Sequence, residues 1–360
     1  MTKHKGRKSA VLAFAAFALI AGACGGSSDT ATEETTAPVT EETTAPVVDP
    51  CEGSELKLGI AFDTGGRGDG TFNDSAARGG EQAAAELCYV VSELEATTDD
   101  DRKPNLEALV AAGNNPVIAV GFAFGGAIEE VAAANPNVTF GWVDGYLDLP
   151  NVKTLGFSEQ EGSFLVGAAA ALKSTTGTIG FIGGQEIDLI KRFEAGYIAG
   201  AKAVNPAIKV ESKYLGAAGD NAAWGSPDKA KEIALSWFKK GADIIYTAAG
   251  GSGAGTIDAA VESGAGKWAI GVDSDQYLTA TPEQQAHILT SMLKRVDVSV
   301  FLAAKAVKEG DVTGGFKIFD LKSDGVGYSA SGGYLDDVAD QLEAFKAKIV
   351  SGEIVVPTKP

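Results

Sequence analysis

The chain has 360 residues, 45% of them apolar, with 48 acids against 30 bases and a net charge of −18. That apolar share excludes a disordered polymer, and the acidic balance excludes the basic stripe of a nucleic-acid binder. Two histidines and three cysteines leave little material for a zinc site or an iron–sulfur centre, so no metal and no cofactor is expected.

Residues 1–9 carry Lys3, Lys5, Arg7 and Lys8, and 10–23 are all apolar or glycine. A basic segment, a short apolar core and small residues before a break describe a secretory signal over 1–23. The core is shorter than the roughly 20 apolar residues that span a bilayer. Ala21-Gly22-Ala23 then meets Cys24 and Gly25-Gly26-Ser27-Ser28, which looks like a bacterial lipobox with Ala21 where leucine is usual. In that reading Cys24 is lipid-modified and anchors the protein at the outer face of the cell membrane. The alternative is ordinary signal cleavage with an unmodified Cys24. Residues 24–54 read as an acidic, disordered tether. Glu33-Glu34-Thr35-Thr36-Ala37-Pro38-Val39 recurs as Glu41-Glu42-Thr43-Thr44-Ala45-Pro46-Val47, and such a stretch cannot bury enough apolar surface to offset its chain entropy. Cys51 immediately precedes the first expected strand of the body, and Cys88 opens the second. Export favours a disulfide between them, a pair of buried thiols being the alternative.

Strands are expected over 55–63, 89–94, 116–120 and 138–144, separated by helices over 75–87, 104–112 and 126–134. The alternation continues with strands over 152–157, 177–182, 208–214, 242–247 and 267–272. Helices over 162–172, 189–204, 227–240 and 256–264 lie between or after them. A less regular tail follows: strand 287–292, helix 294–309, strand 316–321 and helix 335–350. This pattern predicts an α/β protein with two doubly wound lobes and a ligand cleft between them. The first lobe is read as 55–150 plus about 290–318, and the second as 151–289 plus about 319–360.

Three predicted strands end on carboxylates: Asp63, Asp144 and Asp273. In open parallel sheets the ligand crevice lies at the carboxyl ends of the strands. Acids there suit a neutral, hydroxyl-rich ligand such as a sugar or nucleoside and repel phosphates. Each alone is equally well a cap or turn residue. The run Thr64-Gly65-Gly66-Arg67-Gly68-Asp69-Gly70 lacks the G-x-G-x-x-G pattern, because Thr71 takes the last place, so no nucleotide cofactor is expected. Phe72 and Asn73 suit stacking on a ring and bonding its edge, or a core phenylalanine beside a helix cap. Gly250-Gly251-Ser252-Gly253-Ala254 approaches a nucleophile elbow. Its only histidine partner in the body is His287, within a predicted strand, so the glycines better serve close approach of a ligand.

The stretch GIAFDTGGRGDGTFNDSAARG resembles the signature of the basic membrane protein family. GFAFGGAIEEVAAANPNVTFGWVDG, FSEQEGSFLVGAAAA, IGFIGGQEIDLIKRFEAGYIAGAK, AIGVDSDQ and TSMLKRVDVSV match it too, so the resemblance covers about 56–357. It implies a type I periplasmic-binding-protein-like fold and a lipoprotein that captures a purine nucleoside for an ABC permease without chemistry. It implies Phe72 and Phe193 as plates on either side of the base, with Asn73 and Asp63 near the base edge. Asp144, Asp273 and Lys294 would hold the ribose, and Gly251 would offer backbone. Asp188 stands where the family commonly has proline, in the segment leading to Phe193. The competing readings are a receptor for a free sugar and an exported nucleoside hydrolase using Ser252 or a carboxylate pair. A lobed repressor is disfavoured, since a signal and no helix-turn-helix precedes the body.

Overall fold

The computed structural model describes residues 51–360; the signal, Cys24 and positions 24–50 of the tether lie outside the described residues. The first half of the body runs β1 (Lys57–Phe62), α1 (Phe72–Leu87), β2 (Val90–Glu95), α2 (Arg102–Ala111), β3 (Val117–Val120), α3 (Gly125–Ala134), β4 (Phe140–Val143) and β5 (Val152–Phe157). There follow α4 (Glu159–Lys173), β6 (Thr178–Gln185), α5 (Asp188–Val204), β7 (Lys209–Gly216), α6 (Pro227–Lys239), β8 (Ile244–Ala248), α7 (Gly253–Ser263) and β9 (Trp268–Asp273). The remainder is α8 (Pro282–Gln285), β10 (Ile288–Lys294), α9 (Val296–Lys308), β11 (Gly315–Phe319), β12 (Val326–Tyr328) and α10 (Ala339–Val350).

The strands form two six-stranded sheets, ordered β11-β5-β4-β3-β1-β2 and β12-β10-β9-β8-β6-β7. Every pairing is parallel except that of β12 with β10. Inner strands such as β3 (VIAV) and β4 (FGWV) are buried at every position, because helices cover both faces of a parallel sheet. The outer strand β2 (VVSELE) is only partly covered. Registers Phe62↔Glu95, Phe62↔Val120 and Val120↔Val143 bring the carboxyl ends of β1, β2, β3 and β4 level, so the loops leaving them gather at one edge of the sheet.

The chain passes between the sheets three times: from β5 to α4, from β10 to α9, and from β11 to β12. This corrects the lobe boundaries. Val152–Phe157 pairs with β4 in the first sheet, so the first passage lies near residue 158 rather than at 151. Ile288–Lys294 pairs with β9 in the second sheet, so the first lobe resumes near 296 rather than 290. The connection 144–151 carries no helix, which is why it reads as a boundary. It is nonetheless long enough to run back past the four residues of β4 and start a parallel neighbour.

Cys51 and Cys88 are joined by a disulfide with Cα atoms 5.0 Å apart, and Ser54 Oγ donates to the Cys88 carbonyl at 2.6 Å. Residues 51–54 therefore belong to the body and not to the tether. Cys88 closes α1 in the left-handed region (φ 62°) instead of opening β2. Helices α4 and α5 meet backbone to backbone: a Cβ on Gly167 would lie 2.1 Å from the Tyr197 carbonyl oxygen, and one on Gly196 2.1 Å from that of Gln160. Only glycine permits that approach, and it sets the start of α4 beside the third turn of α5.

Candidate ligand-binding site

The carboxyl ends of both sheets face one cleft with an empty volume of about 690 Å³. Asp63, Phe72, Asn73, Asp144, Phe193, Gly251, Asp273 and Lys294 all line it. All eight of these residues thus come together, from seven separate elements and loops. Phe193 is carried by α5, within the helix expected over 189–204. Asp188 occupies the first position of that helix, where proline is equally at home and where a carboxylate complements the positive helix terminus. Lys294 ends β10 rather than starting a helix.

The Lys294 side chain is 2% exposed, and its Nζ lies 2.7 Å from Asp144 Oδ2 and 3.3 Å from Glu159 Oε1. Three phenyl rings surround the same ammonium, with centroids 5.2 Å (Phe72), 4.9 Å (Phe157) and 5.6 Å (Phe193) away. The Phe72 and Phe193 centroids are therefore at most about 10.8 Å apart, the sum of their two distances to Nζ. Burial alone would push the ammonium towards neutrality; Asp144, Glu159 and Asp273 outweigh it and hold the lysine above its ordinary value. Burial raises the Glu159 carboxyl, with Lys294 opposing. Burial likewise pushes Asp273 up to about 7, against the attraction of Lys294 and with help from Asp144, Asp69 and Glu159.

Asp144 and Asp273 both adopt left-handed backbone, at φ 64° and 63°. Aspartate tolerates this conformation better than most residues, yet it costs of order 1–3 kcal/mol and persists only where the surroundings hold it. Asp144 Oδ1, Asp273 Oδ1 and Asn73 Oδ1 are buried without a hydrogen-bond partner in the protein. Three acceptors left over in one cleft call for a ligand rich in donors, since a buried acceptor without a partner costs about 1–3 kcal/mol.

The glycine-rich loop is held by its own acids. Asp69 accepts from the N–H groups of Thr71, Asn73 and Asp74, and Asp74 accepts from those of Gly68 and Gly70. Asp69 thereby supplies the cap of α1, and burial raises its carboxyl. It also accepts from Asn73 Nδ2 at 3.2 Å, which aligns the Asn73 amide and leaves its oxygen free. Asp63 Oδ1 accepts from Thr64 N–H and from Nε and Nη of Arg102, at 2.7, 2.9 and 2.7 Å. Burial raises the Asp63 carboxyl while Arg102 opposes it.

At the mouth, Phe122 of the first lobe meets Trp224 of the second edge to face, with centroids 6.2 Å apart and an interplanar angle of 64°. Trp224 lies flat on β6 because position 184 is glycine; a Cβ there would sit 2.2 Å from the indole. Gly250 and Gly251 form a tight turn before α7 beside the Trp224 carbonyl.

Sequence reading missed Arg102, Glu159, Asp69, Phe122 and Trp224. Glu159 stood within FSEQEGSF and Asp69 within the glycine-rich run, so both lay in segments already marked by the family resemblance. Ser252 and His287 do not form a nucleophile–base pair with one another; each is engaged elsewhere. Ser252 Oγ donates to the Ala223 carbonyl and accepts from Ser226 N–H, at 2.8 and 2.7 Å. His287 Nδ1 is engaged with the Lys267 carbonyl at 2.8 Å.

The profile of the family described as ABC transporter substrate-binding protein PnrA-like matches residues 57–360. The CD4+ T-cell-stimulating antigen of Listeria innocua is 36% identical over 364 residues, covering 95% of each chain. The ABC transporter nucleoside-binding protein BmpA of Lactococcus lactis is 32% identical, over 85% of this chain and 90% of its own. A crystal structure of an ABC transporter solute-binding protein from Aeropyrum pernix superposes with a TM-score of 0.73 at 29% identity, covering 84% of this chain and 94% of that one. The two-lobed parallel architecture is accordingly that of periplasmic binding proteins. Among the described residues no helix is long and apolar enough to cross a membrane. The chain belongs to the PnrA-like substrate-binding proteins of ABC transporters, whose work is to take up a small molecule outside the cytoplasm and present it to a membrane permease.

Proposed function

We propose that the cleft captures a purine nucleoside. The observation that carries this reading is one cavity in which two phenyl rings, Phe72 and Phe193, share a lysine ammonium with a set of buried, unpaired acceptors. The base lies between the two rings, each face contributing roughly 1–3 kcal/mol. Its N–H edge donates to Asn73 Oδ1 and to the Asp63 carboxylate that Arg102 orients. The ribose hydroxyls donate to Asp144 and Asp273 in charge-assisted bonds about twice as strong as neutral ones. Lys294 offsets the charge of those acids and donates to a hydroxyl, and the turn at Gly251 brings backbone to the sugar. The name of the Lactococcus lactis relative supports a nucleoside. Cys24 carries the lipid that keeps the protein at the outer face of the membrane, and the permease receives the ligand unchanged.

Titration calorimetry with adenosine, guanosine and ribose tests the proposal. Binding of the nucleosides, recovered intact with no free base, is the expected result. Ribose binding as tightly as either nucleoside would replace it with the free-sugar reading, and release of base would establish a hydrolase.

A further inference from the structure

A polar chain leads out of the cleft towards its mouth. Arg102 on α2 has a side chain only 7% exposed and gives Nε and one Nη to Asp63 Oδ1. Its other Nη lies 2.8 Å from Asp99 Oδ1. That oxygen also accepts from Asn221 Nδ2 at 2.6 Å. Asn221 follows β7 and so belongs to the opposite lobe. Its own Oδ1 accepts from Gln185 Nε2 at 3.1 Å, and Gln185 Oε1 accepts from Gly219 N–H at 2.9 Å. A cleft-lining carboxylate is thus joined by consecutive hydrogen bonds to an anchored residue across the mouth.

The position of this chain matters as much as its bonds. β2 and β7 are the outer strands of their sheets, on the side away from β11, β5, β12 and β10, where the chain passes between the lobes. A rotation about those passages separates the loops after β2 and β7 by the longest arc. The Asp99 loop is prepared for the contact: Asp101 accepts from the N–H and hydroxyl groups of both Thr97 and Thr98, which holds the turn in one shape.

We infer that Asp99 and Asn221 form an interlobe latch, and that Arg102 is the positioning residue that couples it to the Asp63 carboxylate. A ligand that fixes Asp63 fixes Arg102, which presents Asp99 to Asn221; a made latch in turn holds Asp63 in place for the ligand. Filling the cleft and holding its mouth therefore favour one another, as reciprocity between two linked equilibria requires. The inference rests on the binding role of the cleft, and uses the nucleoside only as a probe.

The test uses Asn221→Ala, Asp99→Ala, their double variant and Arg102→Lys in the processed full chain, with adenosine as probe and stopped-flow dissociation as readout. Neither Asn221 nor Asp99 lines the cleft. Each single variant should raise the dissociation rate about three- to tenfold with the association rate within about twofold, on the scale of one lost hydrogen bond between largely exposed groups. The double variant should be no faster than the single ones. Arg102→Lys, with one nitrogen for two partners, should dissociate faster too, and adding Asn221→Ala should change it little. Unchanged dissociation in the alanine variants, or effects that multiply in the double variant, would overturn the latch. Should adenosine fail to bind the parent protein, the nucleoside reading falls separately. Small-angle scattering then decides the latch: Asn221→Asp, which opposes two carboxylates, should enlarge the radius of gyration at low salt, and an identical profile would overturn it.

Discussion

On the side of the cleft where the chain passes between lobes, the Lys294 side chain is 2% exposed and that of Glu159 fully buried, whereas at the mouth the Asp99 side chain is 66% exposed. The first region holds charge out of water, so every member depends on the others and none can be withdrawn alone. The second region touches through water-facing groups whose net contribution is small and whose contacts can part cheaply. Rigidity thus resides where the polar half of a ligand would rest, and looseness where it would enter.

The largest expected effect comes from attacking the buried side. Lys294→Met leaves Asp144 and Asp273 without their cation and Glu159 with Arg192 alone, 3.2 Å away, and should destabilise the protein by about 3–5 kcal/mol in urea denaturation at pH 7. A loss below about 1 kcal/mol would mean that the three acids already share protons and that the contrast with the mouth is overdrawn. Next is Phe193→Leu, which keeps the site apolar and close to its volume. Adenosine affinity should fall by about 1–3 kcal/mol, the value of one stacking face, with a smaller change in stability. Equal affinity in calorimetry would remove the plate role from Phe193.

The third prediction concerns pH. The Asp273 carboxyl titrates near 7 in the fold and near 3.8 ordinarily, so between those values the folded protein holds a proton that the unfolded chain has lost. The stability tied to this proton is complete below pH 3.8 and disappears as pH rises through about 7. Ligand-free protein should therefore lose stability between pH 5 and about 8, while hydroxyl donors that prefer the ionised acid should bind about three- to tenfold tighter at about pH 8 than at about pH 6. Asp273→Asn should flatten both profiles; profiles as steep as the parent's would assign the titration elsewhere. The smallest effect is expected at the mouth, where Trp224→Ala should shift the denaturation midpoint by about 1 kcal/mol or less and weaken binding less than Phe193→Leu does. A larger loss of affinity than at Phe193 would make the indole, and not the phenyl, the principal plate.

The alternation of strands and helices was legible because buried parallel strands are short apolar runs set between amphipathic helices, as VIAV and FGWV show. Membership of a sheet was not, since VKTLGF carries no mark of which sheet it will join. β12 has three residues, too few to show a period. Within the site, Asp63, Asp144 and Asp273 were visible by their shared place at strand ends, Phe72 by its place beside Asn73 at a helix start, and Phe193 through family resemblance alone. Arg102 was hidden because DDDRK looks like a solvated charge run; its burial depends on Asp63, 39 positions away. Glu159 was hidden because an acid in the first turn of a helix has a sufficient local reason to be there.

Asp144 and Asp273 each answer two demands at one position, a carboxylate for the cleft and a left-handed backbone for the turn. Asparagine and glycine can take the backbone but give up the charge, while glutamate keeps the charge and loses the turn. No single replacement among the twenty amino acids satisfies both, so neither site has a neutral neighbour in sequence space, and drift in ligand preference has to begin at the rings and the rim.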